Sequence, residues 1–221
     1  MSFFELIAQS YPRLLGGLWI TIETTLISLA IAAVLGLLFG LLSVSKTTFL
    51  RGISRVYIDI IRGTPLIVQA FFIYFGIPSL LGFRLDSFNA GVIKLSLNAG
   101  AYTAEIVRAG IQSVNSGQME AARSLGLPYS MAMRKVILPQ AIKTMTPTIV
   151  NQCIITLKDS SILSVIGLAE LTQTGRLIIA NNFESFKMWI IVAVMYFIPI
   201  MILTKISQYI ERRMDYGKGR N

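Results

Sequence analysis

The chain has 221 residues, of which 54% are apolar and only 14% are charged, and its mean hydropathy is +0.66. A soluble domain usually carries about 25% charged residues, so this composition indicates a protein that is solvated by lipid. The formal net charge is +9, but no basic face is interleaved with aromatic residues, which argues against nucleic-acid binding. The sequence contains no histidine, which excludes a Ser-His hydrolase and histidine metal sites.

Five segments are long and apolar enough to be transmembrane helices, since a helix needs about 20 residues to cross the hydrocarbon core. They cover residues 18–42, 56–81, 87–111, 141–166 and 188–209. We therefore expect an all-α, polytopic membrane protein with five transmembrane helices.

The five expected spans make up one domain over residues 18–211. Residues 1–17 lack the basic start and the continuous apolar core of a cleavable signal peptide, so we expect a short interfacial segment there. Residues 212–221 are expected to form a cytoplasmic tail.

The loops differ in their content of Lys and Arg. The loops after the first and third spans, together with the C-terminal tail, carry thirteen basic residues, whereas the N-terminus and the other two loops carry four. Cytoplasmic loops are enriched in Lys and Arg. The sequence therefore predicts an external N-terminus and a cytoplasmic C-terminus.

The loop over residues 115–139 contains a short amphipathic stretch of helix-forming residues. Ser116 is the expected N-cap, and Gly126 with Pro128 supplies a stop. A helix this short and polar cannot span a bilayer, so we expect it to lie at the cytoplasmic membrane surface.

This loop also carries a spaced motif. It reads Glu120-Ala121-Ala122, three residues, Gly126, nine residues, and then a segment that ends in Leu138-Pro139. The pattern resembles the EAA loop of binding-protein-dependent ABC importer permeases, E-A-A-x3-G-x9-I-x-L-P. The chain departs from it only at Val136, which replaces Ile.

Other segments narrow the resemblance. Residues 62–66 (RGTPL), 98–105 (NAGAYTAE) and 158–161 (KDSS) look like the permeases for polar amino acids of the histidine, glutamine, arginine and cystine group. The stretch 210–214 (IERRM) looks most like glutamine permeases. The implied fold is that of type I importer permeases, in the cell membrane of a prokaryote.

The resemblance implies a coupling helix that docks on a cytoplasmic ATPase. The residues implied in this coupling are Glu120, Ala121, Ala122, Gly126, Leu138 and Pro139. The chain has no P-loop, so ATP and magnesium would be used by the partner, and no cofactor is expected on this chain. The implied assembly has two ATPase subunits, a second permease subunit and an external solute-binding protein.

Charges within the expected spans point to a polar pathway, because an intramembrane charge costs roughly 2.5–3.5 kcal/mol. A zwitterionic amino acid needs an acid for its ammonium group and a base for its carboxylate. We place Arg62 near the membrane midplane, beside a helix break at Pro65. The candidate pathway residues are Asp59, Arg62, Thr64, Glu105, Lys158, Asp159, Ser160 and Ser161.

Several alternatives stay open. Arg62 would pair with Asp59, or Arg62 and Lys158 would pair with Glu105 or Asp159, if these charges only hold helices together. A permease for another small solute and an ATP-independent channel share much of the pattern. An intramembrane aspartyl protease would need Asp59 and Asp159 on facing spans, but their surroundings do not match such enzymes.

Overall fold

The computed structural model describes residues 2–215, and all regular elements in this range are helical. The expected all-α class is therefore confirmed. The helices, in chain order, are α1 (Phe3–Ser43), α2 (Thr48–Gly63), α3 (Leu66–Leu81), α4 (Ser87–Gln112), α5 (Ser116–Ser124), α6 (Tyr129–Ile166), α7 (Leu171–Asn182) and α8 (Ser185–Asp215).

Three of these helices, α1, α6 and α8, are long and apolar enough to cross a membrane. The bent pair α2 and α3 would raise the number to four within residues 2–215. Helix α4 has 26 residues, or about 39 Å at 1.5 Å per residue, but it is more polar. It is the central helix, packed against α1, α2 and α6, so most of its surface faces protein rather than lipid.

Helix α1 begins much earlier than the expected span. Ser2 and Glu5 form a capping box, in which each side chain accepts a hydrogen bond from the other residue's backbone N–H. Leu6 and Leu14 are buried in a cluster with residues of α7 and α8. Residues 3–17 therefore belong to the same helix as the first expected span and do not form a helix of their own. Their expected position at the membrane interface stays a prediction.

The other end of the chain extends the last helix. Arg212 and Arg213, assigned to the tail from sequence, lie in α8. The remainder of the expected tail, residues 216–221, lies outside the described residues.

Small residues line the face of α1 that packs on α4. An added Cβ at Gly40 would lie 2.6 Å from Val107 Cβ and 3.0 Å from the Ala104 carbonyl oxygen. Gly36 is equally crowded by Thr103. These glycines allow the two backbones to approach closely, as small residues do in membrane helix pairs.

Substitution by alanine should have opposite effects on stability at two glycines, because only one of them lies in this close contact. Gly40→Ala should lower the free energy of unfolding by about 1–3 kcal/mol, since the methyl group meets Val107. Gly52→Ala should raise it by about 0.5–1 kcal/mol, because Gly52 is a helical position with open space around it. Thermal unfolding of the purified permease measures both. Equal effects of the two changes would contradict the packing argument.

The chain breaks between α2 and α3 at Thr64 and Pro65. Both residues are extended, and the two helices meet at 106°. Proline disfavours helical conformation in the residue before it, which explains the position of the break. The break expected at Pro65 is therefore present, but the 106° turn means that the depth of Arg62 cannot be counted along one straight helix through residues 56–81.

A buried carboxylate holds α7 in place. Glu170 is fully buried and caps α7 by accepting hydrogen bonds from the backbone N–H groups of Thr172 and Gln173. It also accepts one from the hydroxyl of Tyr196 in α8 at 2.6 Å. The negative charge at a helix N-terminus is favourable, so this network ties α7 to α8.

Candidate translocation and coupling sites

The ends of α1, α2 and α4 enclose a polar cavity of about 320 Å³. Three of the predicted pathway residues, Asp59, Arg62 and Glu105, lie in its lining. The full lining consists of Ser43, Arg51, Arg55, Ile58, Asp59, Arg62, Glu105, Arg108 and Gln112. Four arginines and two carboxylates leave the cavity with an excess of positive charge.

Glu105 is the centre of an ion-pair cluster in this cavity. Arg108 binds it with two hydrogen bonds, from Nε to Oε2 at 2.8 Å and from Nη2 to Oε1 at 2.5 Å. Arg62 Nη1 lies 3.7 Å from Glu105 Oε1, and its guanidinium lies over the ring of Tyr102, 5.1 Å from the centroid. Glu105 is thus engaged internally, as the pairing alternative expected.

The partner of Arg62 differs from one of the alternatives. The ion pair that the structure shows for Arg62 is with Glu105 on α4, not with Asp59 on its own helix. Arg62 lies in the last turn of α2, so this contact pins α2 to α4 just before the chain breaks. Arg108 is not among the pathway residues predicted from the sequence.

The side chain of Gln69 bridges the break between α2 and α3 by hydrogen bonds. Its buried side chain donates to the carbonyl oxygen of Ile61 at 2.7 Å and to both Thr64 oxygens, at 3.1 Å for the carbonyl and 2.6 Å for the hydroxyl. The Thr64 hydroxyl in turn donates to Ile60. The hydroxyl group of Thr64, a predicted pathway residue, therefore donates its proton to a hydrogen bond within the break. Gln69 lies in an otherwise apolar stretch of the sequence, where nothing marks it for this role.

Gln69→Leu should destabilise the break. The change removes a buried donor that serves three acceptors, of which the carbonyl of Ile61 is on a half-buried residue, and an unpaired buried polar group costs about 1–3 kcal/mol. We expect a clear fall in the thermal unfolding temperature of the purified permease and reduced transport. Gln140→Leu is the matched control, because Gln140 is exposed and its side-chain amide donates, among the described residues, to the carbonyl of Val136. A Gln69→Leu protein as stable as the Gln140→Leu protein would contradict this role.

The second group of predicted residues lies at the end of the α-helical part of α6, outside the cavity lining. Asp159 is half-buried, whereas Lys158 beside it is exposed. The hydroxyls of Ser160 and Ser161 donate to the carbonyls of Leu157 and Lys158, at 2.7 Å each. The predicted residues therefore form two groups: one in the α2/α4 cavity and one around Asp159.

Lys94 belongs to the second group, although it is not among the pathway residues predicted from the sequence. Its side chain is fully buried, and its Nζ has no hydrogen-bond partner in the described part of the chain. The opposite charge that acts on it is Asp159. Its spacing to Asn98 and Glu105 on the same helix could have indicated a shared polar face.

Helix α5 has the geometry expected for an exposed docking element. Glu120 and Ala121 are exposed, whereas Ala122 is buried, on a helix that packs against the first turns of α6. The N-cap is Asn115, whose side-chain oxygen accepts from the backbone N–H of Gly117 at 2.8 Å. The expected N-cap at Ser116 is therefore wrong by one residue, since Ser116 is already helical.

The end of α5 needs a glycine. Gly126 has a φ of +85°, and its N–H and that of Leu127 bond to carbonyls in the last turn of the helix. This left-handed closure is typical of helix C-termini. The side chain of Leu125, the residue just before Gly126, is 84% exposed, so the turn presents an apolar side chain on the same end of the helix as Glu120 and Ala121.

Leu138 and Pro139 lie where α6 leaves a π-helical turn, Met133–Ile137. Leu138 packs against a buried cluster that includes Ile111 and Ala141. Pro139 carries no N–H and so cannot continue the helical hydrogen bonds. These two residues thus fix the direction in which α6 leaves the coupling loop.

An all-helical body with membrane-length helices, buried charges and an exposed short helix is that of a membrane transport protein. The profile described as "Binding-protein-dependent transport system inner membrane component" matches residues 32–216. The chain belongs to this family, as the sequence resemblance expected.

The chain also resembles individual proteins over nearly its whole length. It is 39% identical to an arginine transport system permease protein of Bacillus subtilis (strain 168), covering 96% of each chain. It is 42% identical to a glutamine transport system permease protein of Escherichia coli (strain K12), covering 92% and 93% of the two chains. A crystal structure of an amino acid ABC transporter with histidines superposes with a TM-score of 0.91 at 41% identity, covering 96% and 99%.

Proposed function

We propose that this chain is the permease subunit of an ATP-driven importer that takes a polar amino acid, glutamine-like in its side chain, from an external solute-binding protein. It acts as a transport subunit rather than an enzyme. The observation that carries the proposal is helix α5, which presents Glu120 and Ala121 outward between two long membrane helices. The named relatives and the superposed amino acid transporter support the substrate class.

The proposed topology has five crossings, with α2 and α3 together forming the bent second one. The N-terminus is outside and the C-terminus is cytoplasmic. Two observations support a shared cytoplasmic side for the loops after α1 and α4. Lys46 lies over the ring of Tyr129 at 4.6 Å, and the cavity is lined by both Ser43 and Gln112.

The power source is proposed to be a pair of ATPase subunits that bind ATP and magnesium. The C-terminal closure at Gly126 leaves Leu125 and Glu120 free to enter a cleft on such a partner. Movement of α5 would then reach the membrane body through Leu138 and Pro139. A second permease subunit, the same or different in sequence, completes the pathway.

The test is uptake into proteoliposomes that contain the permease with its ATPase and its solute-binding protein. We expect labelled glutamine to accumulate only when Mg-ATP is present on the side of the membrane where the ATPase lies. Uptake without ATP would favour a channel. ATP-driven uptake of another solute, with no amino acid transported, would overturn the substrate class but keep the transporter.

A further inference from the structure

We infer that Lys94 sets the substrate charge preference of this transporter, because it neutralises Asp159 and so disfavours amino acids with a cationic side chain. This inference rests on the proposed function and deepens it. It assigns a specificity-determining role to a residue that does not itself touch the substrate.

The first step is the burial of the Lys94 ammonium group. Lys94 is the largest side chain in the described residues that is fully buried, and its Nζ has no hydrogen-bond partner there. An isolated ammonium group in apolar surroundings is strongly disfavoured unless an opposite charge compensates it. A buried lysine of this kind therefore needs a carboxylate within electrostatic range.

The second step is the position of that carboxylate. Gly91, one turn before Lys94 on α4, packs against Leu163 in the 3-10 turn Ser160–Ile166. Asp159 directly precedes this turn and is the carboxylate that acts on Lys94. Lys94 therefore lies on the face of α4 that meets the end of α6.

The third step is the difference in exposure between the two groups. Asp159 is half-buried and has an accessible side, whereas Lys94 lies wholly behind the protein surface. Of this pair, only Asp159 can meet a solute directly. Lys94 then acts on the solute through its field, which the low dielectric of the interior screens weakly.

The other cations named for the pathway do not replace Lys94 in this role. Arg62 is held by Glu105 and Tyr102, and Arg108 is held by Glu105. Lys158 also acts on Asp159, but less strongly than Lys94 does, and its side chain is exposed. The main charge that balances Asp159 is therefore that of Lys94.

The consequence follows from the charges. A zwitterion with a neutral side chain adds no net charge to a site in which Lys94 and Asp159 cancel. Arginine or lysine brings one extra positive charge, which Lys94 repels. Removing the Lys94 charge would leave the Asp159 carboxylate compensated only by the exposed Lys158, and a cationic solute would then be favoured.

The experiment measures binding of tritiated glutamine and tritiated arginine to the permease–ATPase complex in nanodiscs, without solute-binding protein, so that the selectivity of that protein does not intervene. The original complex should bind glutamine in preference to arginine. In Lys94→Met the ratio should shift toward arginine by about tenfold or more, while Lys94→Arg keeps the original ratio. Size-exclusion profiles and basal ATP hydrolysis report whether each variant is folded.

The outcomes separate this inference from the proposed function. If the original complex binds and transports no amino acid, the proposed function fails. If it transports glutamine but a folded Lys94→Met complex keeps its ratio, only the role of Lys94 is overturned, as it also is if the original complex prefers arginine. Where Lys94→Met does not fold, Lys94→Gln, which retains a polar end, provides the same comparison.

Discussion

Replacing Asp159 with Asn should reduce ATP-driven uptake by about 30-fold to 4000-fold while the protein still inserts and assembles. The carboxylate is the accessible acid of the second site, and Asn cannot pair with a substrate ammonium group. Loss of one member of a desolvated charge pair costs about 2–5 kcal/mol, and every 1.4 kcal/mol is tenfold. Uptake into proteoliposomes, normalised to assembled complex, measures the effect.

The control is Glu23→Gln. Glu23 is the one acidic residue of the expected first span and lies in α1, on a different helix from Asp159. This change also removes an intramembrane carboxylate, so uptake close to the original level would show that the position of Asp159 matters. Normal uptake by Asp159→Asn at equal complex levels would sink the assignment of Asp159 to the pathway.

Asp159→Asn also leaves the Lys94 ammonium group without its counter-charge, so part of the loss could come from instability. The double variant Lys94→Met with Asp159→Asn separates the two effects, because it removes both charges. We expect this double variant to recover the amount of folded complex but not uptake. Recovery of uptake as well would mean that Asp159 serves only to compensate Lys94.

Hydropathy predicted most of the helices because a lipid-exposed helix must be apolar over about 20 residues. Helices α1, α6 and α8 follow this rule. Helix α4 was also found, although protein covers most of its surface, because its alternation of small and apolar residues persists around Lys94. What hydropathy could not give is direction, so the 106° turn after Gly63 was missed.

The break itself was anticipated, since Pro65 cannot donate a hydrogen bond. Its geometry depends on Gln69, whose side chain bonds back to carbonyls across the break. This contact joins residues that belong to different helices, and no local pattern marks it. Similarly, the reach of α1 back to Phe3 depends on burial of Leu6 against α7 and α8, which is a tertiary effect.

The coupling loop was predicted more completely because its signals are local. The left-handed turn at Gly126 follows from a glycine placed just after a helix, and the structure has it. The N-cap was misplaced by one residue because Asn115 and Ser116 are both good caps, and only the bond from Gly117 to the Asn115 side chain decides between them.

Gly126→Val should uncouple ATP hydrolysis from transport. A β-branched residue at a φ of +85° costs about 1–3 kcal/mol of backbone strain, so the turn should change shape and the amount of substrate moved per ATP should fall by about tenfold. Space is not the cause, since nothing lies within 4 Å of an added Cβ. The measurement is the ratio of labelled amino acid imported to phosphate released.

Two controls isolate the position and the backbone effect. Gly82→Val imposes a similar strain at a φ of +71°, at the end of α3, where nothing crowds an added Cβ either, so it should leave the ratio unchanged. Gly126→Asn should also preserve coupling, because asparagine tolerates left-handed backbone. If Gly126→Val transports as much per ATP as these two variants, α5 does not transmit the motion of the ATPase through the turn at Gly126.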